Sequence, residues 1–190
     1  KKLGKEGMRK NLARFLEQVL PVAEELGITL SVHADDPPWP IFGLPRIVSN
    51  QADLEFITGL SGSPSNRICF CTGTFGASRE NNVSAMLKKF APKISFAHLR
   101  NVKLEEDGSF FESKIFEGSM DMTGIVKILL EEQQRRGKDH PLPFRPDHGQ
   151  VILDDSRRHT YPGYPLAGRL KSLAELRGII HTLSSGDHSI

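Results

Sequence analysis

The sequence predicts an α/β fold in which four parallel strands alternate with covering helices, and three observations carry that reading. Short, β-branched apolar runs recur four times, each after a helix-like segment. Breaks rich in Gly and Pro separate them. Each run ends on a residue of ligand type: His33, Cys71, His98 and Asp147. Helix, strand and loop in this order are the grammar of a parallel sheet with helices packed on it. Four strands cannot close a barrel, but they make half of an eight-stranded one. A small doubly wound sheet is the open alternative. The strand-end residues favour the half-barrel, because in a barrel those ends share one mouth, where active sites are built.

Taken in order, Met8, Leu12, Phe15, Val19, Val22 and Leu26 advance in steps of four and three, lining one stripe of a helix that Gly27 stops. Pro21 lies inside the stripe and is expected to kink or divide the helix, since it removes a backbone donor. Ile28–His33 reads as a buried strand, followed by the Pro-rich loop Asp35–Pro40. A helix over about 50–60, a break at Gly62-Ser63-Pro64 and a strand over Arg67–Cys71 form the second unit. A Gly-rich loop, Thr72–Gly76, leads into a helix striped by Val83, Met86, Leu87 and Phe90; Pro92 ends it, and Ile94–His98 is the third strand. After a polar excursion from Asn101 to Gly118, Ile125, Ile128 and Leu129 mark another helix, closed by Gly137. The fourth strand, Leu142–Asp147, carries Pro143 and Pro146, tolerable only where the strand does not need those donors. A last helix runs from about Pro165 towards Ile180.

A chain of 190 residues with 38% hydrophobic content can bury one sizeable core, so a single domain over residues 1–190 is expected. The net charge is +2, with acids and bases interspersed, so no face is driven towards nucleic acid or an anionic membrane. The basic opening from Lys1 to Arg14 is diluted by Glu6 and the nearby Glu17. No apolar run approaches the roughly 20 residues that span a bilayer, and Lys1-Lys2-Leu3-Gly4 lacks the apolar stretch of a signal peptide. A cytoplasmic protein is expected, with no nucleic-acid or membrane partner. The chain starts without Met and runs straight into a charged helix pattern, so truncation at the N-terminus is also expected.

Cys69 and Cys71 are the only cysteines and lie too close along one strand for an unstrained disulfide. Cys71 borders a loop and is the better ligand; Cys69, two residues deeper, reads as core. Taken singly, a His at a strand end is more often a hydrogen-bonded structural residue, and a buried Cys is usually packing. Four together, as two imidazoles, a thiolate and a carboxylate, make a shell for a divalent cation with room for substrate or water. By ligand chemistry zinc suits the set, iron(II) is reasonable and manganese is less expected.

The segments His33–Pro38, Gly43–Ser49, Cys71-Thr72-Gly73, His98-Leu99-Arg100 and Arg145–Gly149, with Pro162-Gly163-Tyr164 and Gly168–Lys171, resemble the signature stretches of the mannonate dehydratase family. They fall in the family's order from about Asn11 to Gly178, with Ala34 where a Pro is common and an atypical tail over 180–190. The resemblance implies a TIM-type (β/α)8 barrel, this chain supplying its C-terminal half of about four βα units. It implies that His33, Cys71, His98 and Asp147 hold the metal, manganese or iron(II). It also implies loss of water from D-mannonate to give 2-keto-3-deoxy-D-gluconate in hexuronate breakdown, by a hydro-lyase expected as a homo-oligomer.

That reaction needs a base near neutrality and a group to protonate the leaving hydroxyl. His148, beside Asp147, and Tyr164, in a Pro-Gly turn, are the candidate pair; Tyr161 has less claim. His148 could instead orient a ligand, and Tyr164 could anchor a loop. Arg100 and Arg145 are candidates to clamp the substrate carboxylate, and Asp35 to bind sugar hydroxyls, as is Asp36. Both aspartates could equally belong to a turn. Trp39 could pack against the sugar's apolar side, although plain loop burial is commoner. His140, His159, His181 and His188 are expected at the surface. The Gly73–Gly76 loop lacks the Lys and spacing of a phosphate-binding loop. The alternatives are a metal-dependent sugar isomerase or epimerase, against which Cys71 argues, and an inactive metal-binding fragment.

Overall fold

A computed structural model describes residues 3–185; His188 and the end of the tail lie outside them. Four strands, β1 (Leu30–His33), β2 (Asn66–Cys71), β3 (Ile94–His98) and β6 (Phe144–Arg145), form one parallel sheet in the order β1-β2-β3-β6. Neighbours in the sheet follow chain order with no reversal, unlike a doubly wound sheet, in which the order turns back on itself. Helices α1 (Lys5–Glu25), α2 (Gln51–Gly59), α3 (Thr72–Gly76), α4 (Val83–Phe90), α5 (Met122–Arg136) and α6 (Leu166–Ser185) connect or follow the strands.

Alternation along the strands divides the sheet into two faces. Val32, Ile68, Phe70 and Ala97 share one face and pack with Leu54 and Ile57 of α2, Met86 and Leu87 of α4, Ile125 and Val126 of α5 and Leu176 of α6. This is the core. The opposite face carries Ser31 and His33, Cys69 and Cys71, and Phe96 and His98, and Ser31 bonds Ser95 across it. Registers that pair His33 with Cys69, Cys71 with His98 and His98 with Arg145 bring the strand ends to one rim.

Pro21 does not divide α1, which runs unbroken to Glu25. The proline is exposed, so water can reach the carbonyl that loses its partner. Gly27 stops the helix at φ 65, a conformation that costs glycine little. The helices start as their sequences dictate: Asn50, Asn82 and Asp121 each accept a bond from a backbone N–H of the first turn.

Three expectations need correction. The segment Asn101–Gly118 is no simple excursion, since it holds an antiparallel hairpin, β4 (Asn101–Leu104) and β5 (Phe110–Ser113), turned at Gly108 with φ 88. The Gly-rich loop after β2 is the short helix α3, buried throughout. A Cβ on Gly73 would meet Cγ of Arg100 at 2.5 Å, and one on Gly76 would meet Sδ of Met120 at 2.3 Å. These glycines serve close packing, not backbone freedom. The fourth strand shortens to Phe144–Arg145 because Pro143 and Pro146 flank it. Pro143 still contributes as an acceptor, its carbonyl taking the Ala97 N–H at 3.0 Å.

Candidate metal centre

Ligand-type side chains converge where three adjacent strands end. His33 closes β1, Cys71 closes β2 and His98 closes β3, and one donor atom from each lies within 4.8 Å of the others. His33 Nε2 is 3.0 Å from His98 Nδ1. The second ring nitrogen of His33, Nδ1, is 2.6 Å from the Ala34 carbonyl, which fixes the proton there and leaves Nε2 with its lone pair towards the cluster. Asp147 stands beside this trio, with Oδ2 3.6 Å from His98 Nδ1 and 3.8 Å from Cys71 Sγ. Its backbone is left-handed, φ 61, which bends the chain after β6 and turns the carboxylate back over the sheet end.

Burial is the largest influence on the protonation of Cys71 and His98. Cys71 is fully buried and its thiol is pushed up to about 11 by burial, although the Thr74 hydroxyl, 3.1 Å from the sulfur, pulls the other way. His98 is held down at about 4, first by burial and then by Arg145, with Asp147 opposing. At neutral pH His98 therefore offers a neutral imidazole. A thiolate, in contrast, needs a neighbouring cation. Two imidazole nitrogens and a sulfur within 4.8 Å of one another, with the Asp147 carboxylate against His98 and Cys71, fit a divalent cation, and thiolate with imidazole suits zinc or iron(II). Cys69 is buried below Cys71 on the same face of the sheet, opposite the helix-packed core, and its thiol is pushed up to about 12 by burial.

A second network borders the first. His148 Nδ1 lies 2.8 Å from Glu112 Oε1, its Nε2 lies 3.1 Å from Tyr164 Oη, and its ring meets the Tyr164 ring edge-on. His148 Nε2 is also 3.9 Å from Asp147 Oδ2, so this pair adjoins the candidate metal ligands. Arg100, 4% exposed, donates through Nε to Glu112 Oε2 at 2.9 Å and through Nη1 to Asp36 Oδ2 at 2.6 Å; its Nη2 meets Glu112 Oε1 at 2.6 Å. Its guanidinium is thus occupied by two carboxylates of its own chain. Burial opposes that charge, but Glu112 and Asp36 outweigh it and raise the Arg100 pKa. Burial likewise pushes Glu112 up, yet the bonds from His148 and Arg100 prevail and hold it below the usual carboxylate range.

The remaining candidates divide between the mouth and its supports. Arg145 donates to Asp147 Oδ1 at 2.7 Å and keeps about half of its side chain in solvent. Asp35 accepts the backbone N–H groups of Ile47 and Val48, both at 2.9 Å, and so closes the loop after β1. Trp39 packs edge-on against Phe110 of the hairpin. Tyr161 is exposed. His140, His159 and His181 are on the surface.

Sequence reasoning passed over Glu112, which lies in the stretch read only as polar. Asp107-Gly108 between two short β-prone runs was the available signal for the hairpin that presents it. Thr72 was also passed over. Its hydroxyl lies 2.6 Å from the Arg100 carbonyl and 3.2 Å from that of His98, and accepts the Arg100 N–H at 3.0 Å. Together with Thr74 on the sulfur, this gives each residue of Cys71–Thr74 a physical task.

Comparison with known proteins identifies the family. The family model described as "D-mannonate dehydratase (UxuA)" matches residues 1–189. Mannonate dehydratase 2 of Agrobacterium fabrum is 49% identical over 179 residues, 93% of this chain and 45% of its own length. The mannonate dehydratase of Chromohalobacter salexigens is 51% identical over 177 residues, 92% of this chain and 45% of its own length. The chain thus spans less than half the length of these relatives. The crystal structure of mannonate dehydratase from Streptococcus suis serotype 2 superposes with a TM-score of 0.90 at 32% identity, over 100% of this chain and 53% of that one. A D-tagatose 3-epimerase-like protein, 16% identical with a TM-score of 0.64, shares the fold alone, over 95% of this chain and 57% of its own. With a family model along nearly its whole length and relatives at about half identity, the chain belongs to the D-mannonate dehydratase family.

Proposed function

We propose that this chain is the C-terminal half of a (β/α)8 barrel, one domain over 1–190, and carries the metal centre and acid/base pair of a mannonate dehydratase. The observation that carries the reading is the convergence of His33, Cys71 and His98 at adjacent strand ends, with Asp147 against them. Strand order without reversal supports the half-barrel, and the family supports the reaction. In that reaction D-mannonate loses the C2 proton and the C3 hydroxyl as water, and the resulting enol becomes the 2-keto acid, 2-keto-3-deoxy-D-gluconate.

His33, Cys71, His98 and Asp147 would hold the ion, manganese or iron(II) by family and zinc by ligand chemistry. When bound, the ion supplies Lewis-acid polarisation of the sugar-acid oxygens, which lowers the cost of removing a proton beside a carboxylate. Arg145, partly solvent-facing beside Asp147, is the side chain free to pair with the substrate carboxylate. Arg100, held by Glu112 and Asp36, shapes the mouth from below. Asp35 supports the loop through Ile47 and Val48, and Asp36 does so through Arg100. His148 and Tyr164 share one hydrogen bond. A proton can pass between them, so one serves as base and the other returns a proton to the leaving hydroxyl.

The test is to supply D-mannonate and manganese to the full-length protein and look for the keto-deoxy acid. Product is expected, and none with manganese, iron(II) or zinc would reject the reading. His148→Asn should abolish turnover while the ion stays bound, as measured by metal analysis. Near-normal turnover in that variant would sink the acid/base assignment alone.

A further inference from the structure

Glu112 does not line the sheet. It comes from β5, in a hairpin outside the parallel strands, and still reaches the ring of His148. Its carboxylate has little freedom. Both oxygens accept from Arg100, whose side chain lies across the bare backbone of Gly73. The backbone of the same residue is also held, since the Glu112 carbonyl accepts from Gln150 Nε2 at 2.9 Å. A carboxylate gripped in this way is an acceptor only, so the nitrogen facing it must carry the proton.

We infer that Glu112 is a positioning residue that, in the neutral form of His148, keeps the remaining proton on Nδ1 and so turns Nε2 towards Tyr164 and the metal mouth. A free imidazole samples both tautomers, and the tautomer is set by the partner of the other nitrogen. Here Glu112 lies 2.8 Å from Nδ1 while Tyr164 Oη lies 3.1 Å from Nε2. The phenol then donates to Nε2, and proton exchange has one defined direction. Arg100 completes the assignment. By satisfying both oxygens of Glu112 it fixes the carboxylate in place against Nδ1. The inference rests on the acid/base reading of His148 and Tyr164 for its catalytic consequence, but not for the tautomer itself.

The experiment uses the full-length protein with 15N-labelled histidine. Long-range proton–nitrogen correlations on the metal-free protein, taken at a pH where His148 carries one ring proton, should show that proton on Nδ1 and Nε2 bare. A proton on Nε2 in the unsubstituted protein overturns the inference without any variant. Glu112→Gln keeps the volume but removes the charge and one acceptor. It should lose the single Nδ1–H tautomer, and in the metal-loaded enzyme kcat should fall at least about 100-fold while KM stays within about threefold. An unchanged tautomer, an unchanged kcat or a loss confined to KM would each reject the positioning role. If His148→Asn keeps turnover, the acid/base reading falls, and the tautomer measurement still judges Glu112 by itself.

Discussion

At Thr72 one hydroxyl serves two strand ends, contacting the carbonyls of His98 and Arg100 while accepting the Arg100 N–H. Thr72→Val keeps the shape and leaves those buried groups unpaired. A loss of about 1–3 kcal/mol is expected in denaturant unfolding. Gly73→Ala acts on the neighbouring contact: a Cβ there meets the Arg100 side chain, which must shift and carry its hold on Glu112 with it. Reduced kcat with a native circular-dichroism spectrum is the expected outcome; an unchanged kcat would mean that Arg100 can yield without moving Glu112. His33, Cys71 and His98 were legible as single residues because a strand exposes its last side chain at the rim, so position along the strand implies position in space. Glu112 was not, because its role depends on a hairpin fold-back that brings it to a histidine 36 positions later.

Element starts and stops were largely readable, since caps act locally. Asn50, Asn82 and Asp121 start helices within their own first turns, and Gly27 and Gly137 end them with positive φ. The start of α6 is different. Asp155, more than ten residues upstream and buried, accepts the N–H groups of Ala167 at 3.0 Å and Gly168 at 2.9 Å. No sequence window short enough for a capping pattern contains both partners. Burial raises the Asp155 pKa, but those backbone bonds prevail and hold it below the ordinary value. Because the folded-state pKa is the depressed one, this stabilisation is present above about pH 4 and is lost as pH falls through the folded value. Asp155→Asn should melt earlier than the unsubstituted protein at pH 7, and the gap should close as pH falls below 4. A gap of equal size throughout would assign the effect to shape instead of charge. The hairpin and α3 were misread for different reasons. The hairpin was missed because its turn signal, Asp107-Gly108, lay in a stretch read only as polar. The α3 segment was read as a loop because glycine signals a turn by itself, whereas only the neighbour across the fold shows that Gly73 serves close packing.

For the whole molecule, the sheet has β1 at one edge and β6 at the other. Beside β1 runs an apolar groove lined by Leu12, Phe15, Leu16, Leu30, Val32 and Ile57, with Phe15 about half exposed. An unpaired strand next to apolar surface invites pairing. On the half-barrel reading, the chain expressed alone should self-associate, while the full-length protein covers this edge with its own strands. Sedimentation velocity over a range of concentrations reads the difference, and a monomer at every concentration would count against an open β1 edge. Recurring units and ligand-bearing strand ends made the sheet legible. What lies across its edges is not encoded in those units. The hairpin stands apart from this framework, because among the described residues β4 and β5 pair only with each other and share no ladder with the sheet that bears the candidate metal ligands. The residue facing His148 therefore sits outside the scaffold that carries the candidate ligands. Changing the hairpin's length retunes the histidine it steadies and leaves the strand registers that set His33, Cys71 and His98 as they are.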